Sequence, residues 1–457
     1  MYQDNKYVQL VYDHSPKFIH DFMYSMHGLL KIWQHRMIEK KYLPEITKNQ
    51  RMSLHEIREL QYKKLKDLLE HACRNVPYYT NLFNCFSLKP NDIKSLDDLP
   101  KIPTLTKEDV IKNYSDIIAI NAKEYAPLKL SSGGTTGTSL NFYMDKEAYH
   151  IRETENIHYY ISKMYPYDKA KTIFLRADVL IPKGSPLKKP WRYDFVRKWY
   201  VFSGYYLSES VMNDYYLIMK KFKPDYLIGL PSPSYILAKY MNEKNLTINM
   251  KKIFTSSEML FPSYREEIEK AFNSKIYDIY GHGEPGSWAR QCEYGHYHID
   301  TNSYFETNED GRTIETSLTN YSMPFVRYDI GDKIDGIYYD CECGLKTPYF
   351  KEIQGRISDN IITPDGRCCI GIGFDQVFKG TNILQGQIIQ NEIPRIDVNI
   401  IPQKNYSPEY EKKLLMKLRD RLGDQIKINL NIVDDIPHTK SGKYKLVVSN
   451  ILDRKKD

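Results

Sequence analysis

Glycines and hydroxyl side chains alternate in a segment suited to holding phosphate, Leu130-Ser131-Ser132-Gly133-Gly134-Thr135-Thr136-Gly137-Thr138-Ser139. Glycine allows positive φ angles and close approach of the backbone to a ligand. Successive backbone N–H groups form an anion-binding concavity, and the hydroxyls add donors for phosphate oxygens. The Gly-Lys-Ser/Thr end of a Walker loop is missing. The segment predicts a phosphate-binding loop, and a flexible turn without a ligand is the alternative interpretation.

Further segments place charged or aromatic residues beside glycine or other small residues. A carboxylate suits Mg²⁺ or a ribose diol, and a lysine suits the charge that develops in phosphoryl chemistry. A single lysine is more often a solvated surface charge, so the order of these segments counts for more than any one of them. They are Thr255-Ser256-Ser257-Glu258-Met259-Leu260, Tyr280-Gly281-His282-Gly283-Glu284, Arg327-Tyr328-Asp329-Ile330-Gly331-Asp332, Gly355-Arg356-Ile357-Ser358-Asp359 and Pro437-His438-Thr439-Lys440-Ser441-Gly442-Lys443.

Taken in order, these motifs resemble those of the adenylate-forming superfamily, which includes acyl-CoA synthetases, peptide-synthetase adenylation domains and luciferases. The resemblance implies that ATP activates a carboxylic acid as its acyl-AMP and that pyrophosphate leaves. It also implies that Ser257 and Glu258 border the adenine. The ring of Tyr280, beside Gly281, would pack on the adenine, and Asp332 would accept hydrogen bonds from both ribose hydroxyls.

The catalytic groups are implied by the same resemblance. Glu284 would help to hold Mg²⁺, and Arg356 would reach ribose or phosphate. Lys443 would contact the α-phosphate and the substrate carboxylate, where a positive charge stabilises the transition state. Asp359 would be the pivot of a hinge about which a small domain rotates. That rotation would remove Lys443 and admit an acceptor nucleophile.

The N-terminal half resembles the phenylacetate–CoA ligase branch, through Asn75-Val76-Pro77-Tyr78-Tyr79, Ile102-Pro103 and Pro224-Asp225-Tyr226-Leu227-Ile228-Gly229-Leu230-Pro231-Ser232. Within that branch the chain looks like the CapK-like ligases of capsular-polysaccharide clusters. The branch implies the thiol of CoA as the acceptor, whereas a capsule-associated ligase implies an amine or hydroxyl of a sugar intermediate.

Cysteine and histidine recur in Cys292-x5-His298 and in Cys341-Glu342-Cys343-Gly344. Three thiolates and an imidazole can fill the tetrahedral shell of Zn²⁺. The metal set is therefore Cys292, His298, Cys341 and Cys343, with His296 as the rival imidazole. We expect a structural ion, since four protein ligands leave no open position. Incidental reduced thiols are the alternative.

The apolar pattern predicts an α/β fold. Residues 1–357 would form a large N-terminal adenylate-forming α/β domain with a helical start over about 1–95, and residues 358–457 a small mobile α+β C-terminal domain. Strands predicted at 172–175, 226–230, 252–255 and 275–280 alternate with helices, which is typical of a mostly parallel sheet. In the small domain, Ser407 and Pro408 predict the start of a helix that ends at Leu422.

The composition excludes some classes of function. The formal net charge is +7 from 65 basic and 58 acidic residues, which does not indicate nucleic-acid binding. No apolar stretch reaches about 18 residues, so no membrane span is predicted. The start of the chain lacks a signal-peptide layout, and we expect a cytoplasmic protein. Phe22–Trp33 predicts an amphipathic helix, for which core packing is favoured over a peripheral membrane role.

Alternatives to a ligase stay open. A hydrolase or kinase could use the same loop, but the hinge and the Ser-Gly-Lys segment would then be unexplained. The family commonly has lysine at position 138 and threonine at position 283. Thr138 and Gly283 therefore favour a non-catalytic nucleotide-binding protein of a polysaccharide assembly complex, and the retained charged residues oppose it. An interaction protein is suggested only by residues 1–60. His282 and Trp288 fit the lining of an acyl pocket and simple packing equally well.

Overall fold

The computed structural model describes residues 17–131, 140–163, 170–176, 189–204, 207–284, 286–309, 311–356, 361–364, 368–369, 374–437 and 444–451. The described helices are α1 Lys17–Asn49, α2 Leu54–Asn75, α3 Pro77–Cys85, α4 Lys107–Lys112, α5 Tyr114–Ile117, α6 Lys146–Lys163, α7 Glu209–Phe222, α8 Pro231–Glu243, α9 Pro262–Phe272, α10 Asp375–Phe378 and α11 Pro408–Leu422. Short 3₁₀ turns occupy Pro90–Asp92, Leu96–Lys101 and Ala122–Tyr125.

The described strands are β1 Leu128–Ser131, β2 Asn141–Met144, β3 Thr172–Arg176, β4 Trp191–Asp194, β5 Trp199–Ser203, β6 Tyr226–Gly229, β7 Lys252–Ser256, β8 Ile276–Gly281, β9 Trp288–Gln291, β10 Tyr297–Ile299, β11 Ser303–Thr307, β12 Arg312–Ser317, β13 Tyr328–Ile334, β14 Tyr349–Phe350, β15 Ile353–Arg356, β16 Ile361–Ile362, β17 Cys368–Cys369, β18 Ile383–Glu392, β19 Arg395–Pro402, β20 Lys427–Ile432 and β21 Val447–Ser449. The chain folds into two compact units, Met1–Lys41 with Asn156–Asp278 and Tyr42–Glu155 with Ile279–Asp457.

The first unit contains the parallel sheet that the sequence predicts. Strands β5, β3, β6 and β7 pair in parallel in that order, and β4 adds an antiparallel edge to β5. Helix α8 follows β6, and α9 follows β7. Ligands of open α/β sheets bind beyond the carboxyl ends of parallel strands, which here are Gly229 of β6 and Ser256 of β7.

The second unit is built mainly of antiparallel pairs. Strands β11, β12, β13 and β15 form one sheet, and the end of β8 pairs with β9, which pairs with β10 and through it with β14. Toward the C-terminus, β18 and β19 form a hairpin, with β21 parallel to β18 and β20 parallel to β19. Helix α11 spans Pro408–Leu422, so the predicted helix of the small domain is confirmed.

Local signals set several element boundaries. Helix α2 starts at a capping box in which the Ser53 side chain accepts from the Glu56 N–H and the Glu56 carboxylate accepts from the Ser53 N–H. Pro77 separates α2 from α3, because its ring cannot continue the preceding helix. Thr106 and Asp109 form the same kind of box at α4. The predicted helical start is therefore confirmed over the described residues.

Helix α1 differs from the sequence prediction. Six of its described apolar side chains, from Phe22 to Met37, are exposed and Ile32 is partly buried, so core packing was the wrong interpretation for most of the described stretch. Among the described residues, no helix combines the length and apolarity needed to cross a membrane. The predicted boundary at 357/358 lies at the edge of the undescribed segment 357–360 and stays a prediction.

Candidate functional site

Residues from two separate predicted motifs meet in the second unit. The Tyr280 hydroxyl, at the end of β8, donates a hydrogen bond of 2.9 Å to Asp332 Oδ2 on β13. His282 Nε2 lies 2.6 Å from the same hydroxyl and 3.6 Å from Asp332 Oδ2. All three side chains are nearly excluded from solvent. The tyrosine and aspartate that were assigned to adenine and ribose thus form one polar cluster.

The strand geometry explains why Asp332 reaches this cluster. Burial alternates along β13, so Asp332 shares the inner face with Tyr328 and Ile330. Across the ladder, Asp332 is paired with Arg356 of β15. The backbone therefore brings a third predicted nucleotide-binding residue next to Asp332. The structure describes the backbone of Arg356 but not its side chain.

The turn after β8 shows why two of its positions are glycine. A Cβ on Gly281 would lie 2.6 Å from Cε3 of the Trp288 ring, so any larger residue requires this ring to move. At Gly283 the nearest atom to an added Cβ is Cζ of Phe142 at 3.7 Å, an ordinary contact. Space therefore does not require glycine at position 283, since a Cβ there meets no clash. Trp288 packs over the turn, which agrees with the packing interpretation for that residue.

Glu284 lies half-buried beside a fully buried carboxylate that sequence reasoning missed, Glu315 of β12. Burial, and next the negative charge of Glu284, raise the pKa of Glu315. Ser287 donates to Glu315 Oε1, and Oε2 has no hydrogen-bond partner among the described residues. The raised pKa favours the protonated form of Glu315, whereas the partly exposed Glu284 offers the kind of oxygen ligand that Mg²⁺ prefers, so Glu284 fits the predicted role. Because Glu315 lies 31 positions after Glu284, no spacing signal in the sequence pointed to it.

A second buried acidic group lines a small cleft whose lining includes Arg152, Glu155, Ser287 and Asp300. Arg290 is ion-paired with Asp300. Burial, and then the charge of Asp300, raise the pKa of Glu155. Glu155 also accepts a 2.7 Å hydrogen bond from Asn302. Sequence reasoning missed this cluster as well, because its members come from α6, β9 and the turn before β11.

In the first unit, the Glu258 carboxylate is hydrogen-bonded to the start of helix α8. Its Oε2 accepts a 2.9 Å hydrogen bond from the Ser232 N–H at the first turn of α8. That N–H is one of the donors that a helix start leaves without an intrahelical partner, and a carboxylate is favoured there. Ser257 has φ of +74°, a left-handed conformation that is uncommon outside glycine. Both residues follow the carboxyl end of β7, where the sequence placed them.

The predicted zinc ligands come together. One ligand atom from each of Cys292, His298, Cys341 and Cys343 lies within 4.8 Å of the others. The sulfurs of Cys292 and Cys341 are 3.9 Å apart, and His298 Nε2 is 3.2 Å from Cys343 Sγ. His298 Nδ1 lies 2.9 Å from Thr347 Oγ1. A metal-bound imidazole usually has its second nitrogen held in this way.

His296, the rival imidazole, also lies close to one of the predicted zinc ligands, Cys341. His296 Nδ1 lies 3.2 Å from Cys341 Sγ and 3.9 Å from Glu342 Oε2. The His296 ring stacks on Tyr349, with centroids 4.7 Å apart. This alternative set contains a single thiol, whereas the predicted set offers three thiols and an imidazole, the donors that Zn²⁺ prefers. The residues present fit a structural zinc ion at the predicted set.

Several predicted residues lie outside the described part of the chain: Ser132, Gly133, Gly134, Thr135, Thr136, Gly137 and Thr138 of the phosphate loop, the hinge residue Asp359 and the catalytic Lys443. Their positions remain predictions from the sequence.

Comparisons with known proteins cover most of the chain. Residues 361–450 match the CapK C-terminal domain. Protein CapK of Staphylococcus aureus is 25% identical over 96% of this chain and 99% of its own length. A phenylacetate-coenzyme A ligase of Thermus thermophilus is 22% identical over 89% of this chain and 99% of its own length.

A solved structure supports the same relationship at the level of the fold. It is a 2-hydroxyisobutyryl-CoA ligase in the postadenylation state, in complex with an acyl-AMP abbreviated R3-HIB-AMP. It superimposes with a TM-score of 0.67 at 17% identity, over 90% of this chain and 93% of the ligase. This chain is a homologue of CapK and of the phenylacetate-coenzyme A ligases. It has the mixed α/β fold of the adenylate-forming CoA ligases, so the predicted resemblance and fold class are confirmed.

Proposed function

We propose that this CapK homologue is an ATP-dependent adenylate-forming ligase. It activates a carboxylic acid as an acyl-AMP, releases pyrophosphate, and transfers the acyl group to a second nucleophile. The names of its relatives and the acyl-AMP in its structural neighbour support this reaction class.

The observation that carries the proposal is the meeting of Tyr280, Asp332 and Arg356. These residues belong to three separate motifs, and Arg356 lies 76 positions after Tyr280. The Tyr280 hydroxyl bonds Asp332, and Arg356 lies opposite Asp332 in the ladder. A carboxylate has about four acceptor positions, so the bond from Tyr280 leaves capacity for a ribose diol. A shared role in nucleotide binding explains this convergence more simply than independent packing does.

The proposed chemistry needs a positive charge and a fixed geometry. The substrate carboxylate forms a bond to the α-phosphorus, and the bond to the β-phosphate oxygen breaks, with pyrophosphate taking the electron pair. Lys443 brings the two anions together and stabilises the charge that develops. Ser132–Thr138 would bind the phosphates, and Glu284 would hold Mg²⁺, which neutralises phosphate charge.

In the second half-reaction the acceptor attacks the acyl carbonyl and AMP leaves. We propose CoA as the acceptor, since the relatives include phenylacetate-coenzyme A ligases. The CapK relative favours a second candidate, an amine or hydroxyl of a sugar in capsular or surface polysaccharide biosynthesis. Rotation of a small domain about Asp359 would remove Lys443 between the two steps. The zinc set Cys292, His298, Cys341 and Cys343 has a structural role in this proposal.

The test is exchange of labelled pyrophosphate into ATP, with a panel of aryl, fatty and amino acids. Wild type is compared with Lys443→Ala and with the matched control Lys445→Ala, which removes a lysine two positions away. Acid-dependent exchange that collapses only in Lys443→Ala supports adenylation and identifies the acid class. CoA and amino sugars are then offered as acceptors, with AMP release as the readout.

The same experiment separates the alternatives. Binding of Mg·ATP without exchange for any acid would favour a non-catalytic nucleotide-binding protein of a polysaccharide assembly complex, as the changes at Thr138 and Gly283 suggest. Failure to bind ATP would refute both nucleotide-based proposals.

A further inference from the structure

Helix α1 turns a continuous apolar stripe away from the protein. Its members recur at intervals of three or four positions, so they share one helix face. The most exposed is Trp33, with 66% of its surface accessible. Large exposed apolar patches are uncommon on soluble proteins and mark interaction surfaces. The apolar stripe consists of Phe22, Met26, Leu29, Leu30, Trp33 and Met37.

The opposite face of the helix is fixed against the first unit by small and polar groups. Asp21 Oδ1 accepts a 3.2 Å hydrogen bond from the Tyr193 N–H, and Ser25 Oγ accepts a 3.1 Å bond from the Phe195 N–H. A Cβ on Gly28 would lie 2.6 Å from Asp194 Oδ2, so a larger residue would require the Asp194 side chain, which is ion-paired with Arg197, to shift. A surface helix normally buries its apolar stripe and exposes its polar face. Here the described contacts of the packed face are mainly polar, with Ile32 partly buried beside them, and the apolar stripe is left exposed.

The charges on the exposed face have a single sign. Every exposed side chain described between residues 21 and 41 is either a member of the apolar stripe or one of three cations, Arg36, Lys40 and Lys41. The acidic residues described in this stretch, Asp21 and Glu39, are not among the exposed ones. Burial raises the pKa of Glu39, against the opposing effect of Arg36. The described outer face is therefore apolar with a cationic border.

We propose that α1 docks this protein on a bilayer that contains anionic phospholipids, with the helix lying in the plane of the interface. The apolar stripe would enter the boundary between headgroups and acyl chains, where a tryptophan is favoured. Arg36, Lys40 and Lys41 would face the lipid phosphates. The stripe spans 16 positions, about 24 Å at the helical rise, which is enough for stable contact along the surface. The anionic bilayer is favoured because the cations Arg36, Lys40 and Lys41 border the stripe, and a second copy of the chain is the competing occupant that ultracentrifugation tests.

Flotation of the full-length protein with lipid vesicles tests the docking. We expect binding to vesicles of phosphatidylcholine with about 30% phosphatidylglycerol, little binding to phosphatidylcholine alone, and release by salt. Arg36→Gln/Lys40→Gln/Lys41→Gln should weaken binding roughly a hundredfold, since each cation near an anionic surface strengthens binding roughly fivefold. Leu30→Ser/Trp33→Ser should weaken it at least about tenfold.

Leu217→Ser is the matched control, because Leu217 is an exposed leucine on α7 of the same unit. It should bind as wild type does. Circular dichroism of each variant tests that the fold is retained, and a blue shift of Trp33 fluorescence on anionic vesicles, absent in Trp33→Phe, reports insertion directly. Wild type that does not float, or stripe variants that float as well as wild type, would overturn the proposal. So would a dimer in ultracentrifugation that Leu30→Ser/Trp33→Ser abolishes without any effect on vesicles.

Discussion

The zinc site gives the sharpest prediction, because the structure distinguishes between two histidines. Two Zn–S bonds of about 2.3 Å at a tetrahedral angle place their sulfurs about 3.8 Å apart. The Cys292 and Cys341 sulfurs are 3.9 Å apart, so this pair already has the spacing that the ion requires. His298 is oriented by Thr347, whereas His296 stacks on Tyr349. We therefore expect His298→Ala to lose zinc and His296→Ala to retain it.

Thr347→Val tests the orientation of His298 without removing a ligand. Loss of a group that holds a metal-bound histidine weakens metal binding roughly 10- to 100-fold. At a fixed concentration of free zinc, that change removes about 1.4–2.7 kcal/mol of zinc-dependent stability. The Thr347 hydroxyl lies 2.9 Å from His298 Nδ1, but the Thr347 carbonyl oxygen, 3.3 Å from the same nitrogen, is retained in Thr347→Val, so we expect the lower end of this range.

Metal content by mass spectrometry, competition with a zinc chelator, and thermal unfolding with and without the chelator measure these effects. Wild type and His296→Ala should each contain stoichiometric zinc, and His298→Ala should contain almost none. Zinc lost from His296→Ala but kept in His298→Ala would show that the ligand assignment is wrong. Wild type purified without zinc, and unable to take it up, would refute the site itself.

The remaining predictions concern the turn after β8 and the buried acids. Tyr280→Phe removes the donor to Asp332 and should raise the KM for ATP roughly 2- to 12-fold without changing the fold. An unchanged KM would show that this cluster does not take part in nucleotide binding. Gly281→Ala should lose about 1–3 kcal/mol of unfolding free energy through its clash with Trp288, whereas the matched control Gly283→Ala should lose little; equal losses in denaturant titrations would contradict the packing argument. Burial and Asp300 raise the pKa of Glu155 in the folded state, so its contribution to stability is complete below the unfolded value of about 4.5 and declines as the pH rises. The melting temperature of Glu155→Gln should therefore match wild type near about pH 5 and exceed it near about pH 9, and parallel pH profiles would refute the assignment.

Interactions between residues that are neighbours in sequence determined several helix boundaries of this protein. The capping boxes at Ser53 and Thr106 and the break at Pro77 involve neighbours in sequence, so each could be predicted without the fold. The predicted strands of the parallel sheet are present, because runs of buried apolar residues have few alternatives. The motifs containing Tyr280 and Asp332 could be found in the same way, because their residue types and order are characteristic of a known superfamily.

Contacts between distant segments were decided by the tertiary structure. Glu315 beside Glu284, Asp300 beside Glu155 and Thr347 behind His298 each join elements that no spacing rule connects. The cysteine and histidine spacing predicted the zinc ligands, and the structure adds the hydrogen bond between His298 Nδ1 and Thr347 that orients the preferred imidazole.

Helix α1 shows most clearly what cannot be predicted from the sequence alone. The period of 3.6 residues identifies which side chains share a face, so an amphipathic helix could be predicted from Phe22–Trp33 alone. Periodicity does not state which face turns inward, because that depends on the surface against which the helix packs. The close approach of Gly28 to Asp194 and the bonds to Asp21 and Ser25 decide it here, and they leave the apolar stripe exposed.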